Sequence, residues 1–152
     1  MKPEELMVGD WVNFLIDITG GETEYDSQTS EYQPMQIISI SAWNNNDGEA
    51  ESAEGVICDI EQLTSVPITP EILEKNFNVE KIDFEGRIVE TLYTDHNEFY
   101  EITISEYTGE LWEVEIDEIE FSSLPIWKMY VCDVHELQHA LRLCGINKEI
   151  KL

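Results

Sequence analysis

Basic residues are nearly missing from this sequence. Eight Lys and Arg stand against 33 Asp and Glu among 152 residues, a formal charge of −25. Between Lys2 and Lys75 there is no Lys or Arg, and between Arg87 and Lys128 there is again none. Such a field repels phosphate backbones and anionic lipid, which disfavours direct binding of nucleic acid or of a membrane surface. No apolar run reaches the roughly 18 residues that a membrane span needs. Met-Lys-Pro-Glu-Glu at the start is not a basic stretch followed by an apolar one, so no signal peptide is expected. The three cysteines, Cys58, Cys132 and Cys144, have no paired spacing. Reduced thiols and a cytoplasmic location are the expectation. Phosphate-binding glycine loops, C-x-x-C pairs and G-x-S-x-G elbows are all missing.

What is present is core material: 42% hydrophobic residues, with four Trp, six Tyr and five Phe. That is enough for a packed interior despite the charge. Strands are expected over 11–18, 35–43 and 56–60, separated by a polar loop over 20–33 and an acidic, loop-like stretch over 49–55. Asn44-Asn45-Asn46-Asp47-Gly48 reads as a turn, because these residues tolerate positive φ. A calcium loop is rejected there, since its first ligand position would be Trp43.

Thr69-Pro70-Glu71 reads as a helix start: an N-cap, a proline in the first turn and an acid at the positive helix end. Strands are then expected near 79–84, 88–93, 99–107, 111–117 and 127–131. Trp112, Val114 and Ile116 alternate with Glu113, Glu115 and Asp117, so one face of that strand is dry and the other a row of carboxylates. A closing helix should start after Asp133 and stop at Gly145, with Val134, Leu137, Leu141 and Cys144 on one stripe.

The expected fold is α+β: an N-terminal three-strand curled, small-barrel-like unit (1–68), a short linking helix, and an antiparallel sheet backed by a C-terminal helix (69–152). One compact domain overall is expected.

Two patterns could carry chemistry. His135-Glu136-Leu137-Gln138-His139 matches H-E-x-x-H, in which two histidines bind zinc and the glutamate is general base. The longer form with a third histidine is absent, Arg142 stands where its glycine would be, and helical geometry turns the pair away from the apolar stripe, towards solvent or an edge. No metal, cofactor or catalytic residue is therefore expected, and a surface histidine pair is the plainer reading. The second pattern is the row Glu113, Glu115 and Asp117, spaced about 6.7 Å along the strand. It could imitate a nucleic-acid backbone in the groove of a basic protein, or serve only as a solvated face.

Three blocks carry a resemblance: Glu5-Leu6-Met7-Val8-Gly9-Asp10-Trp11-Val12, Val66-Pro67-Ile68-Thr69-Pro70-Glu71-Ile72-Leu73-Glu74-Lys75-Asn76-Phe77, and Val134-His135-Glu136-Leu137-Gln138-His139-Ala140-Leu141-Arg142-Leu143-Cys144-Gly145. They resemble a family of small uncharacterised proteins of Bacteroidetes genomes and their prophages or mobile elements. The family has no established activity, so the resemblance implies no functional residue. Its C-terminal block varies at the positions of Glu136 and His139, which weakens the zinc reading. The expectation is a non-enzymatic acidic interaction protein with a basic protein partner. A nucleic-acid mimic is the alternative, and a zinc hydrolase a distant third.

Overall fold

The computed structural model describes residues 6–18, 29–42, 48–119 and 127–152. The chain forms two compact units, Met1–Val66 and Pro67–Leu152. The architecture is α+β, with antiparallel pairing throughout and the second sheet backed by a C-terminal helix. No helix among the described residues is long and apolar enough to cross a membrane.

The first unit opens with a turn that explains its Gly-Asp pair. Gly9 takes φ 92°, and the Asp10 carboxylate accepts from Met7 N at 2.7 Å. Asp10 is fully buried there, and its backbone joins the turn to Ile37. Five strands follow: β1 (Trp11–Ile18), β2 (Thr29–Ala42), β3 (Gly48–Ser52), β4 (Ile57–Asp59) and β5 (Leu63–Ser65), in the order β4-β3-β2-β1-β5. Leu6, Val12, Ile37, Ala50, Ile60 and Leu63 form one buried cluster, with Phe14, Ile40 and Cys58 against it.

Three strands were expected here. Of the loop over 20–33, residues 29–33 belong to β2; residues 19–28 lie outside the described ones. Of the acidic stretch over 49–55, residues 49–52 belong to β3, whose residues alternate between buried and half-buried. Its inward positions are Gly48, Ala50 and Ser52, too small to signal a strand by hydropathy. The turn expected over 44–48 lies largely outside the described residues.

The second unit begins with α1 (Pro70–Asn76), where Thr69 Oγ1 accepts from Ile72 N at 3.4 Å. Strands β6 (Asn78–Phe84), β7 (Arg87–His96), β8 (Tyr100–Thr108), β9 (Leu111–Glu118) and β10 (Trp127–Val131) form a meander in chain order. On its dry face Tyr93 faces Ile104, Ile104 faces Val114, and Trp112 faces Val131; all are buried. The closing helix α2 (Val134–Leu143) buries Val134, Leu137, Ala140 and Leu141, and Gly145 ends it at φ 75°. Val134, Leu137 and Leu141, fully buried, contribute about 1.5–3 kcal/mol each.

The tail after α2 is held rather than free. Ile146 and Ile150 are buried, and the Asn76 amide exchanges two 2.8 Å hydrogen bonds with the backbone of Lys151. Lys148 bonds Asp95 at 2.8 Å while lying 4.9 Å over the Phe77 ring. One expectation is corrected on α2. His135 is only 8% exposed and Gln138 is buried, so the helix is covered on more than its apolar stripe. The start of α2 is enclosed by the segment before α1: Pro67 bridges Asp133, and Ile68 N donates to Cys132 O.

Candidate functional site

The carboxylate row lies on the outer face of the second sheet, as the alternation requires. Its cross-strand neighbours form three ladders. Leu92, Ser105, Glu113 and Tyr130 make the first, Thr94, Thr103, Glu115 and Lys128 the second, and His96, Glu101 and Asp117 the third. The row is not a bare line of charge. Lys128 Nζ reaches Glu113 Oε1 at 2.7 Å and Glu115 Oε1 at 2.9 Å. The Lys128 ammonium, then the Tyr130 hydroxyl, hold the Glu113 carboxyl below its ordinary range. The two acids in turn push the Lys128 pKa up. Only Asp117 lacks a cation in its ladder of described residues, and opposite it stands a second acid, Glu101. Beside the row the rings of Tyr107 and Tyr130 meet at 4.9 Å, both about half exposed.

The H-E-x-x-H residues are tied into the start of α2. Asp133 is the N-cap of α2 and accepts from Glu136 N at 3.0 Å. Glu136 Oε2 reaches back to Cys132 N at 2.9 Å. This reciprocal pair is a capping box shifted by one residue. The carboxylate that a zinc hydrolase would use as general base is engaged at the helix entrance. His135 Nδ1 lies 2.6 Å from Asp133 Oδ1, and its ring meets that of His139 edge-on at 5.6 Å.

A group that the spacing did not suggest is Cys132, Asp133 and Glu136, whose ligand atoms lie within 4.8 Å of one another. Burial, then the Glu136 carboxylate, push the Cys132 thiol up to about 11, so the thiolate is scarce at neutral pH. Both acids are engaged as helix caps, and the group functions as an N-terminal clasp of α2.

The third place is a fork in the second sheet. β7 and β8 pair from His96↔Glu101 to Leu92↔Ser105 and then part. Before Leu92, β7 pairs only with β6; after Ser105, β8 pairs only with β9. A register shift sits beside the fork on each hairpin, at Ile82/Asp83 and at Glu106/Thr108. Such bulges bend and twist a strand, which turns the two hairpin tips apart.

The fork encloses a cleft of about 520 Å³ lined by Pro70, Val89, Tyr93, Glu106, Tyr107 and Trp112 among others. Its floor is Tyr93 against Trp112, edge to face at 5.9 Å. Burial, followed by the charges of Glu74, Glu71 and Glu106, raises the Tyr93 pKa. The hairpin tips are apolar and open: Phe84, Ile88, Val89 and Tyr107 are each more than half exposed. The sequence held only the traces of this place, namely Ile88-Val89 and the turns at Gly86 and Thr108-Gly109.

No family model, curated protein or solved structure matches the chain.

Proposed function

We propose that this is a non-enzymatic acidic interaction protein of a bacterial or mobile-element host, and that its partner is a basic protein. One observation carries the reading. The open end of the second sheet presents Phe84, Ile88, Val89 and Tyr107 to solvent within a chain of net charge −25. Exposed apolar side chains grouped near one cleft among charged residues are a feature of protein-binding sites, where tyrosine is favoured. The acidity selects a basic partner and speeds its approach.

The mimic reading has less support, because Lys128 interrupts the row between Glu113 and Glu115. The zinc reading has less still, because Glu136 is committed to the helix cap.

The test is affinity capture from a bacterial lysate followed by reconstitution with the purified partner across a range of salt. A basic partner whose affinity falls steeply as salt rises is expected. An acidic or neutral partner, or affinity indifferent to salt, would count against the reading. The triple variant Glu113→Gln, Glu115→Gln, Asp117→Asn decides between dock and mimic. Fold and binding are expected to survive it. A several-fold loss of affinity at low salt, with unchanged thermal stability, would favour the mimic.

A further inference from the structure

We infer that the fork between β7 and β8 accepts one extended basic segment of a protein partner as an added strand. The choice of a basic segment rests on the partner reading above; the choice of place rests on pairing alone.

Strands in a continuous sheet lie about 4.8 Å apart and satisfy each other's backbone groups. Residues 88–91 of β7 and 106–108 of β8 each have a strand partner on one side only. Two short edges therefore face each other across a cleft of about 520 Å³, inside a sheet rather than at its rim. An unpaired edge is a template for an incoming strand, whose backbone supplies affinity and whose alternate side chains supply selectivity. Of the usual guards of an edge, proline and lysine are missing from 88–91 and 106–108; what these edges carry is Glu90, Glu106 and the bulge between Glu106 and Thr108, guards that a basic segment meets with opposite charge.

The cleft also fixes the kind of segment. Its floor is the aromatic pair Tyr93 and Trp112, packed on each other and nearly covered, which gives an incoming segment an apolar base to rest on. Glu90 and Glu106 line it, and Glu71 and Glu74 of α1 act on the same Tyr93. Lys81, opposite Thr91, and Arg87, at the hairpin turn, are the basic residues of β6 and β7. A second copy of this chain is a poor occupant, because it brings its own charge of −25 to the same place. A segment alternating apolar and basic residues meets both the floor and the carboxylates.

The experiment uses the full chain and a short peptide alternating lysine and valine. A glutamate–valine peptide and a lysine–valine peptide with alternate backbone nitrogens methylated serve as comparisons. Amide hydrogen exchange is read residue by residue. The lysine peptide is expected to slow exchange at 88–91 and 106–108 by about tenfold or more. The methylated peptide keeps the charge but loses strand donors, and should fail. Glu106→Gln should weaken binding several-fold at low salt, and the triple variant of the carboxylate row should leave it unchanged.

Equal binding by the methylated peptide would overturn strand addition. Protection on the outer face that vanishes in the triple variant would overturn the fork yet keep a basic partner. Equal protection of the fork by the glutamate peptide would overturn the basic segment. Binding of neither lysine peptide would overturn the fork and the basic-partner reading together. Protection that grows with protein concentration alone would assign the fork to a second copy and overturn the inference.

Discussion

Residues 1–66 hold 14 acids and one base, Lys2, whereas residues 67–152 hold 19 acids and seven bases. The net charges are nearly equal, but the second unit has cations to place and places them. Lys128 joins two strands through Glu113 and Glu115, and Lys148 joins the tail to Asp95. The first unit has no cation beyond Lys2 to organise its acids. Its described order comes from a buried turn carboxylate, Asp10, and a small apolar cluster. Where acids are paired, charge fixes register and anchors a terminus. Where they are not, charge can only repel. The fork belongs to the organised unit, where the carboxylates near Tyr93 are held by α1 and β8.

The largest effect should come from cutting each core. Trp112→Ala removes the floor of the cleft and a wholly buried ring, and should cost about 3–5 kcal/mol. Ile37→Ala in the first unit should cost about 2–5 kcal/mol. Amide exchange should quicken most in the unit that was cut. Equal quickening in both would make them one cooperative block. A loss below about 1 kcal/mol for Trp112→Ala would show that the ring is not packed as described.

Next in size is the clasp of α2. Asp133→Ala removes the N-cap acceptor for Glu136 N and the neighbour of His135, and should cost about 1–2 kcal/mol. Asp133→Asn keeps an acceptor and should restore most of the loss. No helix longer than the single turn Ile60–Gln62 is described in the first unit, so this lever belongs to the second alone. Chemical denaturation of the two variants side by side is the check, and equal losses would show that the contact with His135, not the cap, is what matters.

These helix ends are also where the sequence was most legible. Thr69-Pro70 and Asp133 carry capping chemistry that acts within a few residues, so it can be read without tertiary knowledge. The long strands β8 and β9 were legible from alternation for the same reason. Strand β3 was not, because its inward residues are small, and β5 was not, because three residues carry no period. The pairing of Lys128 with the acid row could have been drawn from the alternation of Lys128 and Tyr130 in β10. The fork could not, since it depends on where pairing between two strands stops. Nor could the contact of Pro67–Ile68 with Cys132 and Asp133 at the start of α2, which joins residues far apart in sequence.

A smaller effect is expected from acid. The folded-state pKa of Glu113 is depressed, first by Lys128. Its stabilisation is therefore fully present above the unfolded value, about 4.3, and is lost as pH falls through the folded one. No such pair is found among the described residues of the first unit, and protonation there chiefly relieves repulsion. Glu113→Gln should thus be slightly less stable than the parent at neutral pH and equal to it at low pH. A difference that persists or grows in acid would mean that Glu113 acts by packing and not by charge.

The smallest effect, and the most direct test of the comparison, is salt. Screening length falls from about 30 Å at 0.01 M to about 8 Å at 0.15 M. In the first unit nearly every charge pair is repulsive, so screening can only help the folded state. In the second, screening relieves repulsion but also weakens the exposed bonds of Lys128 to Glu113 and Glu115. The two terms offset there. Raising sodium chloride over this range should slow amide exchange in β1 and β2 by up to about threefold, with less change in β8 and β9. Chloride is the right anion, since sulfate would strengthen apolar burial in both units and hide the difference. Charge is the cause only if the difference disappears near pH 4, where many of the carboxylates are neutral. Equal slowing in both units at neutral pH would mean that Lys128 and Lys148 leave the second unit as repulsive as the first, and that its ion pairs decorate the sheet without organising it.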